Sequence, residues 1–251
     1  MWLLANDDGI NAPGLKALRA AVEEMQQPYV VVAPEGNRSG YSNALTLDKP
    51  LRVERVDEQS FAVNGTPTDC VHLAINGLLD RDPERVISGI NAGANLGDDA
   101  LYSGTLAAAV EGRFLINTAV AFSITSYVPE HWEEAAKIAL MLLSRLDQLA
   151  LPERTVLNVN IPDLPLSQIR GFRLTRLGHR QRASDVQPTV DPRGRRAFWI
   201  GVAGDPADSG EGTDFHAVAN DYVSVTPLHA DMTRYETFSS VQGWLRATGL
   251  E

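Results

Sequence analysis

Trp2-Leu3-Leu4-Ala5-Asn6-Asp7-Asp8-Gly9 begins as a short apolar run and ends as a polar loop with two adjacent carboxylates. Its downstream neighbours decide how it is read. Pro13 and Gly14 punctuate a new start, and Leu15, Leu18, Val22 and Met25 then recur at the spacing of one helical face. Tyr29 to Ala33 is a β-branched run stopped by Pro34. The same alternation continues downstream. Val86-Ile87-Ser88 and Ala119 to Ile124 read as buried strands, with Leu106, Val110 and Phe114 spaced as a helix between them. Trp132, Ala135, Ala139, Leu142 and Leu146 mark a longer helix, and Val156 to Ile161 is a further strand ended by Pro162. Strands alternating with helices predict right-handed crossovers and an α/β fold with a parallel sheet covered on both faces.

After Pro162 the pattern changes. Phe172 to Leu177 and Tyr222 to Val225 look like strands, but eight Gly and Pro residues from Pro188 to Gly212 separate them. That density of breakers predicts turns and long hairpins. Val241, Trp244 and Leu245 suggest a short terminal helix with one apolar side. The chain is therefore divided into 1–162, an α/β domain, and 163–251, a hairpin segment with a terminal helix. The second part buries little by itself and is expected to pack on the first or on a second subunit.

The 251 residues are 44% hydrophobic and 22% charged, with a net charge of −10, which fits a globular chain with a sizeable core. No apolar run approaches the ~20 residues of a membrane helix. Asp7 and Asp8 fall where a signal peptide needs its apolar centre, and Cys70 is the single cysteine. Both point to a cytoplasmic protein without a membrane partner. The acidic balance argues against a nucleic-acid partner. Between Arg170 and Arg196, however, eight Arg and two Asp give a local balance of +6. Guanidinium suits bidentate phosphate or carboxylate contacts. Pairing with acidic surface on the same chain or a second subunit is the preferred reading.

Ligands of an open parallel sheet bind at the carboxyl ends of its strands. The loops expected there are Asn6-Asp7-Asp8-Gly9, Glu35-Gly36-Asn37-Arg38-Ser39-Gly40, and Ser88 to Gly97. They offer carboxylates, a hydroxyl and amides, with no His or Cys. All-oxygen donors select hard cations such as Mg²⁺, Mn²⁺ or Ca²⁺. Asp-Asp-Gly alone is as readily an N-cap beside a solvated Asp; two more oxygen-rich loops at the same edge favour the metal. Tyr102-Ser103-Gly104-Thr105 runs into the helix carrying Val110, where free N–H groups and the dipole attract an anion. The small side chains at Gly104, Ala107 and Ala108 favour phosphate over a simple cap. For Gly65-Thr66-Pro67-Thr68-Asp69, a capped helix with Pro in its first turn is preferred. Cys70 reads as a small buried thiol. The five His residues are scattered, and neither a P-loop nor a Gly-x-Gly-x-x-Gly turn is present.

Taken in order, Asn6-Asp7-Asp8-Gly9 with Pro13-Gly14, Asn37-Arg38-Ser39-Gly40, Gly65 to Cys70, Ser88-Gly89-Ile90-Asn91 with Gly93 and Asn95, and Tyr102 to Thr105 resemble the SurE family of stationary-phase survival proteins. Asn158 to Pro162, Gly212-Thr213-Asp214 and Ser224 to Leu228 extend the resemblance over nearly the whole chain. It implies a Rossmann-like, three-layer domain and an extended β-hairpin used for homodimer or homotetramer formation. It implies a divalent-metal-dependent 5′-nucleotidase acting on nucleoside monophosphates, with some members also acting on 3′-nucleotides and short polyphosphate. By the same resemblance, one Mg²⁺ or Mn²⁺ per subunit is held by Asp7, Asp8, Ser39 and Asn91, and phosphate by Asn95, Ser103, Gly104 and Thr105. Asp7 or Asp8 then orients or deprotonates the attacking water; an aspartyl-phosphate intermediate is the alternative. A nucleotide-sensing oligomer with incidental phosphatase activity is the competing function.

Overall fold

The computed structural model describes residues 1–251. In chain order its elements are β1 (Trp2–Ala5), α1 (Pro13–Glu24), β2 (Tyr29–Pro34), β3 (Val53–Arg55), β4 (Ser60–Val63), α2 (Pro67–Leu73), β5 (Arg85–Ala92), α3 (Gly104–Glu111), β6 (Ala119–Ile124), α4 (Trp132–Leu143) and β7 (Val156–Ile161). Beyond Pro162 come β8 (Phe172–Leu174), β9 (His179–Arg180), β10 (Gln187–Val190), β11 (Arg196–Trp199), β12 (Pro206–Asp208), α5 (Asp214–Ala219), β13 (Val223–Leu228) and α6 (Phe238–Ala247).

Nine strands form one sheet in the order β3-β4-β2-β1-β5-β6-β7-β13-β8. The run from β4 to β7 is parallel, and β3 and β13 add antiparallel pairs to β4 and β7. The chain moves outward from β1 to β2 and β4, then crosses back to lay β5 on the other side of β1. That reversal opens a crevice at the carboxyl ends of β1 and β5. The βα alternation expected for the first half is present. Two features go beyond the sequence expectation. The strands β3 and β4 are additional, and the sheet does not stop at Pro162, because β13 and β8 continue it.

Each face of the sheet carries its own apolar cluster. On one face α1 and α4 cover Leu4, Val31, Ile87, Val120, Phe122 and Val159; on the other α2 and α3 cover Leu3, Val30, Val32, Val86 and Ala121. Successive residues of β1 and β2 thus feed opposite layers, which explains runs without polar alternation. The α1 face expected at Leu15, Leu18 and Val22 is buried, and each such side chain contributes roughly 1.5–3 kcal/mol. Gly14 lets this helix start directly on β5, since a Cβ there would lie 1.8 Å from the Ile90 carbonyl oxygen. The helix expected after Gly65 begins with a capping box: the Asp69 N–H donates to Thr66 Oγ1 (3.0 Å) and the Thr66 N–H to Asp69 Oδ2 (2.8 Å). Cys70 is fully buried behind it, and burial pushes its thiol up.

The breaker-rich stretch is a two-stage hairpin. β9 pairs with β12, and further out β10 pairs with β11 through a turn at Asp191 to Arg195. Three of the eight Arg between Arg170 and Arg196 find carboxylates on the same chain: Arg176 with Asp208, Arg180 with Asp99 and Arg195 with Asp191, each at 2.6 Å. The terminal helix α6 buries no residue.

Candidate active site

Asp7 and Asp8 leave the carboxyl end of β1 and enter the crevice. Asn6 shapes the loop, donating through Nδ2 to the Gly9 carbonyl (2.9 Å) and accepting the Gly9 N–H (3.2 Å). Asp8 is tied to the end of β5, where the Ala92 N–H donates to its Oδ2 (3.1 Å). The loop after β2 is tied to the same pair. The Arg38 N–H donates to the Asp7 carbonyl (2.7 Å), Asn37 Nδ2 to Asp8 Oδ1 (3.3 Å), and the Ser39 N–H to Asn37 Oδ1 (2.9 Å). Ser39 itself is exposed. A bulge in β5, between Ser88 and Asn91 on its β6 side, re-aims Asn91 at the strand end. Asn91 Nδ2 donates to the Gly93 carbonyl (2.7 Å), which leaves its carbonyl oxygen without a protein donor.

The Ser-Gly-Thr turn meets the acidic pair directly. Thr105 is fully buried and its hydroxyl donates to Asp7 Oδ1. A Cβ on Gly104 would lie 2.8 Å from the Asp7 Cβ and 3.0 Å from its Oδ2, so only glycine lets α3 begin this close. Ser103 is the N-cap, accepting the Leu106 N–H at 3.0 Å. The turn reads from the sequence as an anion site separate from the carboxylates. In the structure the two meet: the Thr105 hydroxyl donates to Asp7, and the Ser103 hydroxyl oxygen caps α3.

Asn95 is held differently. Its N–H donates to Asn160 Oδ1 (2.7 Å), its Nδ2 to Ser123 Oγ (2.7 Å), and its carbonyl accepts from Asn158 Nδ2 (2.9 Å) and Asn160 Nδ2 (3.2 Å). The sequence signal for this support is the set of polar residues inside otherwise apolar β6 and β7: Ser123, Asn158 and Asn160 are fully buried where strand interiors are usually aliphatic. Asn95 makes no hydrogen bond to Asp7, Asp8 or the Ser-Gly-Thr turn.

The electrostatics of the pair are lopsided. Burial pushes the Asp7 carboxyl up to about 6, against the lowering effect of the Thr105 hydroxyl and with the Asp8 charge adding to the rise. Burial raises Asp8 as well, opposed by the Ala92 N–H. No Lys or Arg forms an ion pair with either. A buried carboxylate beside a second one, without a cationic partner, is the arrangement that a divalent cation neutralises. No group of three His, Cys, Asp or Glu side chains is placed to hold a metal ion, so a cation held by these two carboxylates would need Ser and Asn oxygens beside them. That donor set fits a hard ion.

A family model described as survival protein SurE matches residues 2–184. A protein from Methylococcus capsulatus named 5′-nucleotidase SurE is 57% identical over 243 residues, covering 97% of this chain and 96% of that one. A protein of the same name from Pseudomonas fluorescens is 58% identical, with 97% of each chain covered. Among solved structures, the SurE protein from Aquifex aeolicus superposes with a TM-score of 0.84 at 42% identity, over 97% of this chain and 98% of that one.

Proposed function

This chain belongs to the survival protein SurE family, and on that premise we propose that it is a divalent-metal-dependent 5′-nucleotidase releasing phosphate from nucleoside 5′-monophosphates. The observation that carries this reading is the direct contact of a buried, unneutralised carboxylate with an anion-accepting helix start: Asp7 against Gly104 and Thr105. One element of the site calls for a cation and the next for an anion, and a metal-bound phosphoryl group satisfies both.

Asp7, Asp8, Ser39 and Asn91 would hold one Mg²⁺ or Mn²⁺, which supplies Lewis-acid polarisation of the phosphoryl oxygens. The chain's own groups do the rest. The N–H groups at the start of α3 would stabilise the charge spreading over the phosphoryl oxygens. Asn95, fixed by Ser123, Asn158 and Asn160, offers a positioned amide. Asp7 or Asp8 would orient or deprotonate the water that attacks in line with the leaving nucleoside oxygen. Thr105 keeps the Asp7 carboxylate in one orientation. An assembly of two or four subunits is proposed through the hairpin and α6, where Phe238, Val241 and Trp244 are exposed on a helix that buries none of its residues.

Phosphate release from AMP by the full-length protein tests the reading. Excess chelator is expected to abolish release, and Mg²⁺ or Mn²⁺ in excess over chelator to restore it. Undiminished turnover in chelator would exclude the metal assignment, and absence of phosphate release under every metal condition would exclude the nucleotidase.

A further inference from the structure

The intramolecular ion pairs leave part of the hairpin's Arg excess unused. Arg170 and Arg173, at the outer edge of the sheet, have no carboxylate partner. Both instead lie over the ring of Tyr222, with guanidinium carbons 4.8 and 4.0 Å from its centroid. One aromatic ring thus holds two cations close together. Cation–π attraction offsets part of their repulsion, but none of their charge is cancelled. The two guanidiniums line a cavity of about 380 Å³ together with His216, whose half-buried ring has no partner within the chain. Glu211, the one acidic residue of the lining, forms no ion pair with either arginine.

This cavity is separate from the crevice that holds Asp7. Tyr222 immediately precedes β13, and β8 is four strand positions from β5. At the ordinary inter-strand spacing that is roughly 19 Å, too far for one phosphoryl group to reach both. It opens nonetheless at the same end of the sheet, since Ser224 at the start of β13 pairs with Asn160 near the end of β7.

We propose that this cavity is a second anion site, in which Arg170 and Arg173 together grip a phosphate group. Two forked, permanently charged donors without a counter-charge match a doubly charged tetrahedral anion better than a monovalent one. The imidazole of His216 adds a third polar contact. Free inorganic phosphate and the phosphate chain of a second nucleotide share this chemistry. The assignment does not depend on the nucleotidase reading.

The test is calorimetric titration of the chelator-treated, full-length protein with inorganic phosphate and, separately, with adenosine 5′-(β,γ-imido)triphosphate. The His216 ring resonance serves as a local reporter. Saturable binding that shifts this resonance is expected, and Arg170→Ala with Arg173→Ala should weaken it about tenfold or more. Tyr222→Phe, which keeps the ring, should bind as the wild type does, whereas Tyr222→Leu should bind like the double variant. Phosphate binding as tightly as the nucleotide identifies free phosphate as the ligand; a nucleotide preference of about tenfold or more identifies the chain of a second nucleotide. If the double alanine variant fails to fold, Arg170→Gln with Arg173→Gln keeps the stems over Tyr222 and decides the matter in the same way. Binding unaffected by removal of both guanidiniums, a silent His216 resonance, or no saturable binding of either probe overturns the proposal.

Discussion

Residues 1–162 and residues 163–251 are stabilised on different terms. The first stretch supplies both buried clusters almost entirely, with Val223 the one contributor from beyond Pro162. Its helices are sealed against the sheet, and its loops converge on one crevice. The second stretch adds two strands to the sheet edge, with a hairpin leaving the body between them and a helix after the second. Leu174, Trp199, Ile200 and Trp244 all face outward there. The difference teaches where to look for each property: chemistry in the part that closes on itself, association in the part that does not.

The sharpest test of this division is the acidic pair. Asp7→Asn keeps the shape of the side chain and removes the charge. Hydrolysis is expected to fall by about 10³-fold or more, with far-UV circular dichroism unchanged. Activity within tenfold of the wild type would move the chemistry away from β1.

Stability should divide in the same way. Phe122 is fully buried in the centre of the sheet, and Phe122→Ala is expected to lower the unfolding free energy by about 3–5 kcal/mol. Trp244, on the solvent side of α6, should change it by only about 0.5 kcal/mol or less when replaced by Ala. That same change should lower the particle mass seen by light scattering, as should deletion of the outer part of the hairpin, residues 187–199. Denaturant titration of both point variants checks the contrast. A Trp244→Ala variant as unstable as Phe122→Ala would mean that α6 is part of the monomer core.

A third contrast is in pH dependence. The Asp7 carboxyl stands at about 6 in the folded chain, above its unfolded value of 3.8. Below about pH 4 both states hold the proton and the site is neutral to stability. As pH rises the unfolded state releases the proton first, so stability falls until about pH 6, by roughly 3 kcal/mol at most. Asp98, beside the hairpin, behaves oppositely. The Arg180 N–H holds its carboxyl below the usual range, so its contribution is present above about pH 4 and is lost on acidification. Melting temperatures of the chelator-treated protein between pH 4 and 7.5 should show the Asp7 decline, and Asp7→Asn should remove it. Added Mn²⁺ should raise the melting temperature more at pH 7.5 than at pH 5, because protons compete for its ligands. A metal-induced rise that is the same at both values would separate the cation from these carboxylates.

Much of the closed half is legible in sequence because hydrophobic period and strand-end position are local. Leu15, Leu18 and Val22 announce α1, and Asn6 to Gly9 must come after whatever strand contains Leu3 and Leu4. β3 and β4 escape such a reading because Val53 to Arg55 and Ser60 to Val63 are only three and four residues long, and the β3 residues are exposed, so neither carries a clear period. Contact between distant segments leaves no local mark at all. Thr105 and Asp7 stand 98 residues apart, and Ser103 and Thr105 look alike as hydroxyls beside one glycine. Only the fold shows that one caps a helix while the other faces a carboxylate. Asn158 and Asn160 stand out in the sequence as part of a motif, but their physical purpose depends on a neighbouring loop more than sixty residues away, where they hold Asn95.

The smallest effect expected is also the one that separates the two roles open to Thr105. If its hydroxyl met only the phosphate, Thr105→Ala would raise KM and leave the pH profile in place. In the structure the hydroxyl donates to Asp7 and lowers its proton affinity. Its removal should therefore make the carboxylate harder to ionise, weaken the cation's hold, and reduce kcat/KM about tenfold, the ordinary effect of one charge-assisted hydrogen bond. The acid limb of the pH–rate profile should move to higher pH, because a folded state lacking the donor keeps its proton longer. Thr105→Ser should restore both rate and limb, whereas Thr105→Val, which fills the same volume without a donor, should behave as alanine does. Full pH–rate profiles for the three variants, at two Mn²⁺ concentrations, check the sequence of effects. A limb that stays in place in Thr105→Ala while KM rises would return this residue to the phosphate and leave Asp7 to be held by the backbone alone.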